Sequence, residues 1–131
     1  MVFGEEQGIL TQGDWRPFDA VPGFCDLIGP IWKLPVDSED EIIRLGFRVE
    51  PRHCNRLSWC HGGMVSTMCD TALGINANLH AGIENVTPTV SLSVDFIRGA
   101  RLGEWVESRV RILRMTASLV FVDGLLRTEC G

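Results

Sequence analysis

The feature that most constrains this chain is a change of period. From Gly62 to about His80, Val65, Met68, Ala72, Ile75 and Leu79 recur at steps of three and four. At about 100° per residue these five share one face of a helix. Gly82 follows as a stop. Beyond it the period falls to two. In "TVSLSVDF", Val90, Leu92, Val94 and Phe96 alternate with Thr89, Ser91, Ser93 and Asp95, the pattern of a half-buried strand. "GEWVESRVRIL" repeats it, with Val106, Val110 and Ile112 opposite Glu107, Arg109 and Arg111, and "ASLVFVDGLLRT" reads as another strand. Upstream, "IWKLPV" and "LGFRVE" read as strands parted by the acidic turn "DSEDE", and Glu50-Pro51 breaks the pattern. "RPFDAVPGFCDLIGP" reads as a short helix or two ended by Gly29-Pro30. Short strands, one long helix and a run of strands predict the α+β class, an antiparallel sheet packed against a helix.

One local signal conflicts. Asp123-Gly124 is a strong hairpin signal, but "ECG" at the end also reads as a turn. We therefore place a glycine bulge inside a strand at Gly124. On that reading residue 131 falls in a turn where a closing strand would begin, a strand expected either to be absent or to lie beyond residue 131.

The 131 residues suit a single domain, 1–131, with residues 1–28 as an N-terminal extension carrying a short helix. Hydrophobic content of 45% supports a core, and a net charge of −5 argues against a nucleic-acid partner. No apolar run nears the roughly 20 residues that span a bilayer, so no membrane partner is expected. "MVFGEEQG" lacks the basic-then-apolar layout of a signal peptide. A cytoplasmic location follows as the expectation. Cysteines at 25, 54, 60, 69 and 130 are odd in number and irregular in spacing, which predicts free thiols in a reducing compartment.

"HCNRLSWCHGG", residues 53–63, invites a metal reading. Zinc sites favour cysteines two to four apart in two pairs. Cys54 and Cys60 are six apart, each beside a His, and no second cluster exists. Neighbours in an extended segment point to opposite sides, so no metal is expected. The same argument disfavours Cys60 with His61 as a nucleophile and base, and no Gly-x-Ser-x-Gly elbow is present. The glycines are more informative. His61-Gly62-Gly63 stands where the helix begins, and first-turn N–H groups attract developing negative charge, the geometry of an oxyanion hole. Gly63, Thr67, Asp70, Gly74 and Asn78 fall within about 80° of one another, opposite the apolar stripe. That small polar face is either solvated surface or a place for close approach, with Asp70 as its working carboxylate.

"NRLSWCHGGMVSTMCDTALG" followed by "TPTVSLSVDFIRGARLGE" resembles the hotdog-fold acyl-CoA thioesterases of the phenylacetate-pathway type, over about Gly29 to Leu126. The shared pattern is Asn, His-Gly-Gly six residues on, Asp nine after the His, then the alternating strand and Gly-Glu. It implies a curved antiparallel sheet wrapped around the long helix, with no cofactor. It also implies a homodimer or dimer of dimers whose sites lie between subunits. By matching position, Gly62 offers its N–H to the thioester oxygen and Gly63 supports the turn. Asp70 is base or nucleophile, Asn55 and His61 order the water and the helix start, and Thr89 reaches the site from the facing subunit. Where the family usually has Gly, three residues after the Asn, this chain has Ser58. Arg98 and Arg101 are candidates for the phosphates of coenzyme A, and Trp59 for the acyl pocket. His53 and His80 are expected to be structural.

The expected activity is hydrolysis of an acyl-CoA, aryl or short to medium in chain, to free acid and coenzyme A. Two alternatives stand beside it. A hotdog enoyl-CoA hydratase or dehydratase would pair a His with an acid on the acyl chain. A non-catalytic acyl-CoA binding module would need none of Asp70, Asn55 and His61.

Overall fold

The computed structural model describes residues 14–18, 23–84 and 86–130; the expectation that the first residues are polar surface lies largely outside them. Two hairpins flank a long helix. β2 (Trp32–Pro35) and β3 (Ile43–Arg48) run antiparallel, Trp32 opposite Gly46 and Pro35 opposite Ile43. The two-residue β1 (Arg16–Pro17) adds to the outer edge of β2, and α1 (Phe24–Ile28) joins them. β4 (Trp105–Met115) and β5 (Val120–Thr128) form the second hairpin. β4 returns beside β3, with Gly46 opposite Glu107, so the sheet order is β1-β2-β3-β4-β5. Between the hairpins in sequence comes α2 (Gly62–Ala81), packed on one sheet face. This is the expected hotdog arrangement, with the sheet left open.

Alternation explains the core. Val106, Ser108 and Val110 point inward from β4, as do Leu45 and Phe47 from β3 and Leu126 from β5. They meet Met64, Val65, Met68, Cys69 and Ala72 of α2. Each large apolar side chain buried there contributes about 1.5–3 kcal/mol. The helix closes as its sequence predicts: Gly82 takes φ 66 and its N–H bonds the carbonyls of Asn78 and Leu79.

The buried stripe is wider than the periodicity alone indicates, and Leu79, expected on it, is 42% exposed. Asn76, fully buried, is the added member. Its Oδ1 accepts the N–H groups of Ile42 and Ile43 (2.8 and 3.0 Å), and its Nδ2 donates to the carbonyls of Ile43 and Ala72 (2.8 and 2.9 Å). Near it, Ser108 Oγ accepts the Leu45 N–H at 2.9 Å. β3 and β4 part at this point, and side chains complete the hydrogen bonding that the ladder leaves open.

Two expectations are corrected. Residues 89–96 run without ladder partners among the described residues, and Val90 is 81% exposed. Alternation records only which face is apolar, whereas a strand also needs a neighbour for its N–H and C=O groups. This segment, β5 and the polar flank of α2 instead line a cavity of about 1000 Å³. Gly124 does lie inside a strand, but it pairs directly with Val110, and the register irregularity falls between Ile112 and Arg114 of β4. Gly124 is small for a packing reason: a Cβ there would stand 2.4 Å from the Arg109 carbonyl oxygen.

Candidate active site

The loop entering α2 is built by its own side chains. Asn55 Oδ1 accepts the N–H groups of Leu57 and Trp59 at 2.9 and 3.2 Å. Within this turn Ser58 takes φ 62, the left-handed region where glycine is comfortable. His61 caps the helix: its Nδ1 accepts the Gly63 N–H at 2.8 Å and its carbonyl accepts the Val65 N–H at 3.1 Å. With Nδ1 an acceptor, the neutral ring carries its proton on Nε2. A Cβ at Gly63 would meet His61 Nδ1 at 3.0 Å, so any larger residue there must displace the capping ring by a few tenths of an ångström. The Gly62 N–H has no acceptor among the described residues, and the Phe96 ring stands 3.4 Å from where a Gly62 Cβ would be. One first-turn donor is thus left open beside an aromatic ring.

Asp70 lies two turns on, exposed and lining the large cavity with Leu73, Gly74 and Ala77. Thr89 Oγ1 donates to Asp70 Oδ1 at 2.6 Å. This bond is made within one chain, where the family resemblance implies a Thr from the facing subunit. A second tie of the same kind, Thr87 Oγ1 to Asn78 Oδ1 at 2.6 Å, escapes sequence reasoning. The hint lies in Asn78, which shares the polar face with Asp70. Together the two hydroxyls hold the 87–89 segment against the polar flank of α2. Gly74 presents open space, with nothing within 4 Å of a would-be Cβ.

Helix geometry sets a limit. Gly62 and Asp70 are eight residues apart, about 12 Å along the axis. A reacting carbon must lie within about 3 Å of both the oxyanion donor and the attacking group. A Gly62 N–H and an Asp70 carboxylate acting on one thioester would therefore have to come from two different copies.

The remaining candidates gather at the helix entry, away from the cavity. Trp59 is half-buried, its ring filling the space beside Gly99, where a Cβ would come within 2.6 Å. The Arg101 guanidinium stacks 4.8 Å from the Trp59 ring, and the Arg101 N–H donates to Glu104 at 2.7 Å. Arg98 is exposed. Trp59, Arg98 and Arg101 do not line the cavity at Asp70. His53 is buried and structural: Nδ1 accepts the Glu50 N–H at 3.0 Å, and Nε2 lies 2.6 Å from the Ile28 carbonyl oxygen. Among the described residues no group of three or more His, Cys, Asp or Glu could hold a metal, and no helix is long and apolar enough to cross a membrane.

The profile of the thioesterase superfamily matches residues 58–131. A protein of Pseudomonas aeruginosa named as an esterase is 29% identical over 114 residues, 87% of this chain and 84% of that protein. Acyl-coenzyme A thioesterase 13 of Mus musculus is 27% identical over 105 residues, 79% and 71% of the two chains. Zebra fish thioesterase superfamily member 2 superposes with a TM-score of 0.68 at 22% identity, covering 84% of this chain and 78% of its own; the two share a fold.

Proposed function

The chain belongs to the thioesterase superfamily and is a thioester hydrolase, and on that premise we propose that its substrate is an acyl-CoA with an aryl or short- to medium-chain acyl group. The observation that carries this reading is Asp70, a carboxylate oriented by Thr89 at 2.6 Å on the rim of a cavity roomy enough for an acyl group. The similarity to an acyl-coenzyme A thioesterase supports the choice of thioester.

The chemistry divides simply. A thiolate leaves without much help from an acid, so the barrier lies in forming the tetrahedral oxyanion. The open Gly62 N–H at the positive end of α2 takes that charge. Asp70 either removes a proton from the attacking water or attacks the carbonyl itself. Asn55, His61 and Gly63 hold the helix entry in shape. Because one helix spaces Gly62 and Asp70 too far apart, Gly62 of one copy works with Asp70 of another. The working unit is then a homodimer, or a dimer of dimers, in the cytoplasm. Arg98 and Arg101 at the helix entry suit the phosphates of coenzyme A, beside Trp59.

Free-thiol release from phenylacetyl, benzoyl, acetyl, hexanoyl and palmitoyl-CoA, compared with Asp70→Ala, tests the reading. Turnover with the aryl, acetyl or hexanoyl esters, falling about 10²–10⁴-fold in the variant, is expected. A folded protein that binds an acyl-CoA stoichiometrically and releases no thiol would overturn it in favour of a binding module.

A further inference from the structure

The two cysteines of the opening motif face each other across an isolated antiparallel bridge, Cys54 opposite Cys60. The hydrogen bonds around them define what kind of pair this is. His61 N–H donates to the His53 carbonyl on one side, and Asn55 N–H to the Trp59 carbonyl on the other, each at 2.8 Å. The cysteines' own N–H groups turn away, Cys54 to the Pro51 carbonyl at 3.1 Å and Cys60 to the Ala100 carbonyl at 2.8 Å. That is a non-hydrogen-bonded pair, the closer of the two antiparallel types, with Cα atoms about 4.5 Å apart and side chains on one face. Disulfides span Cα separations of about 4.4–6.8 Å. The backbone is already in place, and the thiols need only rotate from their present acceptors, the Glu50 carbonyl for Cys54 and the His61 carbonyl for Cys60.

We propose that Cys54 and Cys60 form a reversible, redox-sensitive staple across the loop that enters α2, taking a small-molecule disulfide such as oxidised glutathione as the oxidant. Cys54, the half-buried member, attacks one glutathione sulfur as a thiolate and releases the first glutathione thiol. Cys60 then attacks the Cys54 sulfur and releases the second. Two thiols lose two electrons and two protons, and one glutathione disulfide becomes two thiols. Burial pushes the Cys60 thiol up to about 12, so ring closure is slow at neutral pH and quickens about tenfold per unit toward alkaline pH. The staple encloses the Asn55 turn and Ser58, and it abuts His61, the helix cap. It acts on the rigidity of the helix entry and does not depend on the identity of the thioester.

The test uses the full chain at graded ratios of reduced to oxidised glutathione, with thiols trapped by alkylation. The expected result is loss of two alkylatable thiols and an intact mass about 2 Da lower before alkylation, without retained glutathione, reversed by dithiothreitol. Trypsin should then yield the peptide HCNR, cut after Arg52 and Arg56, bound to the peptide that begins at Leu57 and ends at Arg98. Fragmentation of the second peptide must assign Cys60 rather than Cys69. Cys54→Ser and Cys60→Ala should each abolish the bridge, and Cys130→Ser should leave it intact. The wild-type map is decisive even if a variant folds poorly. The bridged form should melt several degrees higher than the reduced form. A stable glutathione adduct with no internal bridge, a bridge that forms only in denaturant, or a bridged form that melts lower would each overturn the proposal.

Discussion

Ser58 and Glu41 carry the two clearest local costs in the molecule. Ser58 sits at φ 62, and a non-glycine residue held there costs about 1–2 kcal/mol, partly offset by the greater freedom that glycine loses on folding. Ser58→Gly should therefore stabilise by about 0.5–1 kcal/mol, read from denaturant midpoints at constant slope; an unchanged or lower midpoint would mean the turn relieves the strain elsewhere. Glu41 is 5% exposed, and burial pushes its carboxyl up to about 7, against the pull of Arg44 at 3.4 Å. Its Oε1 accepts no hydrogen bond among the described residues. The folded state thus holds this proton more tightly than the unfolded chain. That contribution to stability is complete below the ordinary value of 4.5 and is lost as pH rises through about 7. Glu41→Gln should flatten the decline, gaining about 2–3 kcal/mol on wild type between about pH 5 and pH 8. Parallel stability curves over that range would sever Glu41 from the pH dependence.

At the scale of elements, the most consequential bond set is Asn76 clasping the start of β3 from the middle of α2. Asn76→Leu would fill the volume yet strand two N–H groups and one carbonyl of Ile42 and Ile43. A loss of about 3 kcal/mol is expected, at the upper end for orphaned buried backbone; a loss below about 1 kcal/mol would show that water replaces the amide. Asn76 also marks where sequence reading stops. α2 is legible because Val65, Met68 and Ala72 repeat at the helical period, and β4 because Val106 and Val110 alternate with Glu107 and Arg109. Gly63 and Asp70 stand out because helix spacing puts a donor-rich helix start and a carboxylate on one polar flank, whereas the role of Gly62 is legible only through the family resemblance. A buried Asn carries no period: beyond Ala72 on its own helix, the partners of Asn76 are Ile42 and Ile43, more than thirty positions away. The same limit explains 89–96, whose alternation is in the sequence although no adjacent strand among the described residues completes the ladder.

For the whole molecule, the proposed roles of Gly62 and Asp70, roughly 12 Å apart along one helix, would make assembly part of the chemistry. Gly62→Pro removes the open N–H while suiting the first helical position, and should lower turnover about 10²–10³-fold. Mixed in equal amounts and reassociated with Asp70→Ala, it should restore about a quarter of wild-type activity, since half the dimers are hybrid and one of their two sites is whole. No recovery from a mixture shown to contain hybrid dimers would place Gly62 and Asp70 at work within one chain.

The order of elements also has a kinetic consequence. β2 with β3 and β4 with β5 are neighbours in sequence, whereas Trp105 of β4 comes 57 positions after Arg48 of β3, with α2 in the interval. Closing that span costs about 3–4 kcal/mol in chain entropy before any ladder bond repays it. The folding barrier should concentrate there, and a helix already docked on β3 through Asn76 shortens the search. Asn76→Leu is expected to slow refolding more than it speeds unfolding, whereas truncating Val122 in the local hairpin should mainly speed unfolding. The residue that clasps α2 to β3 would then set the rate at which the two halves of the chain find each other.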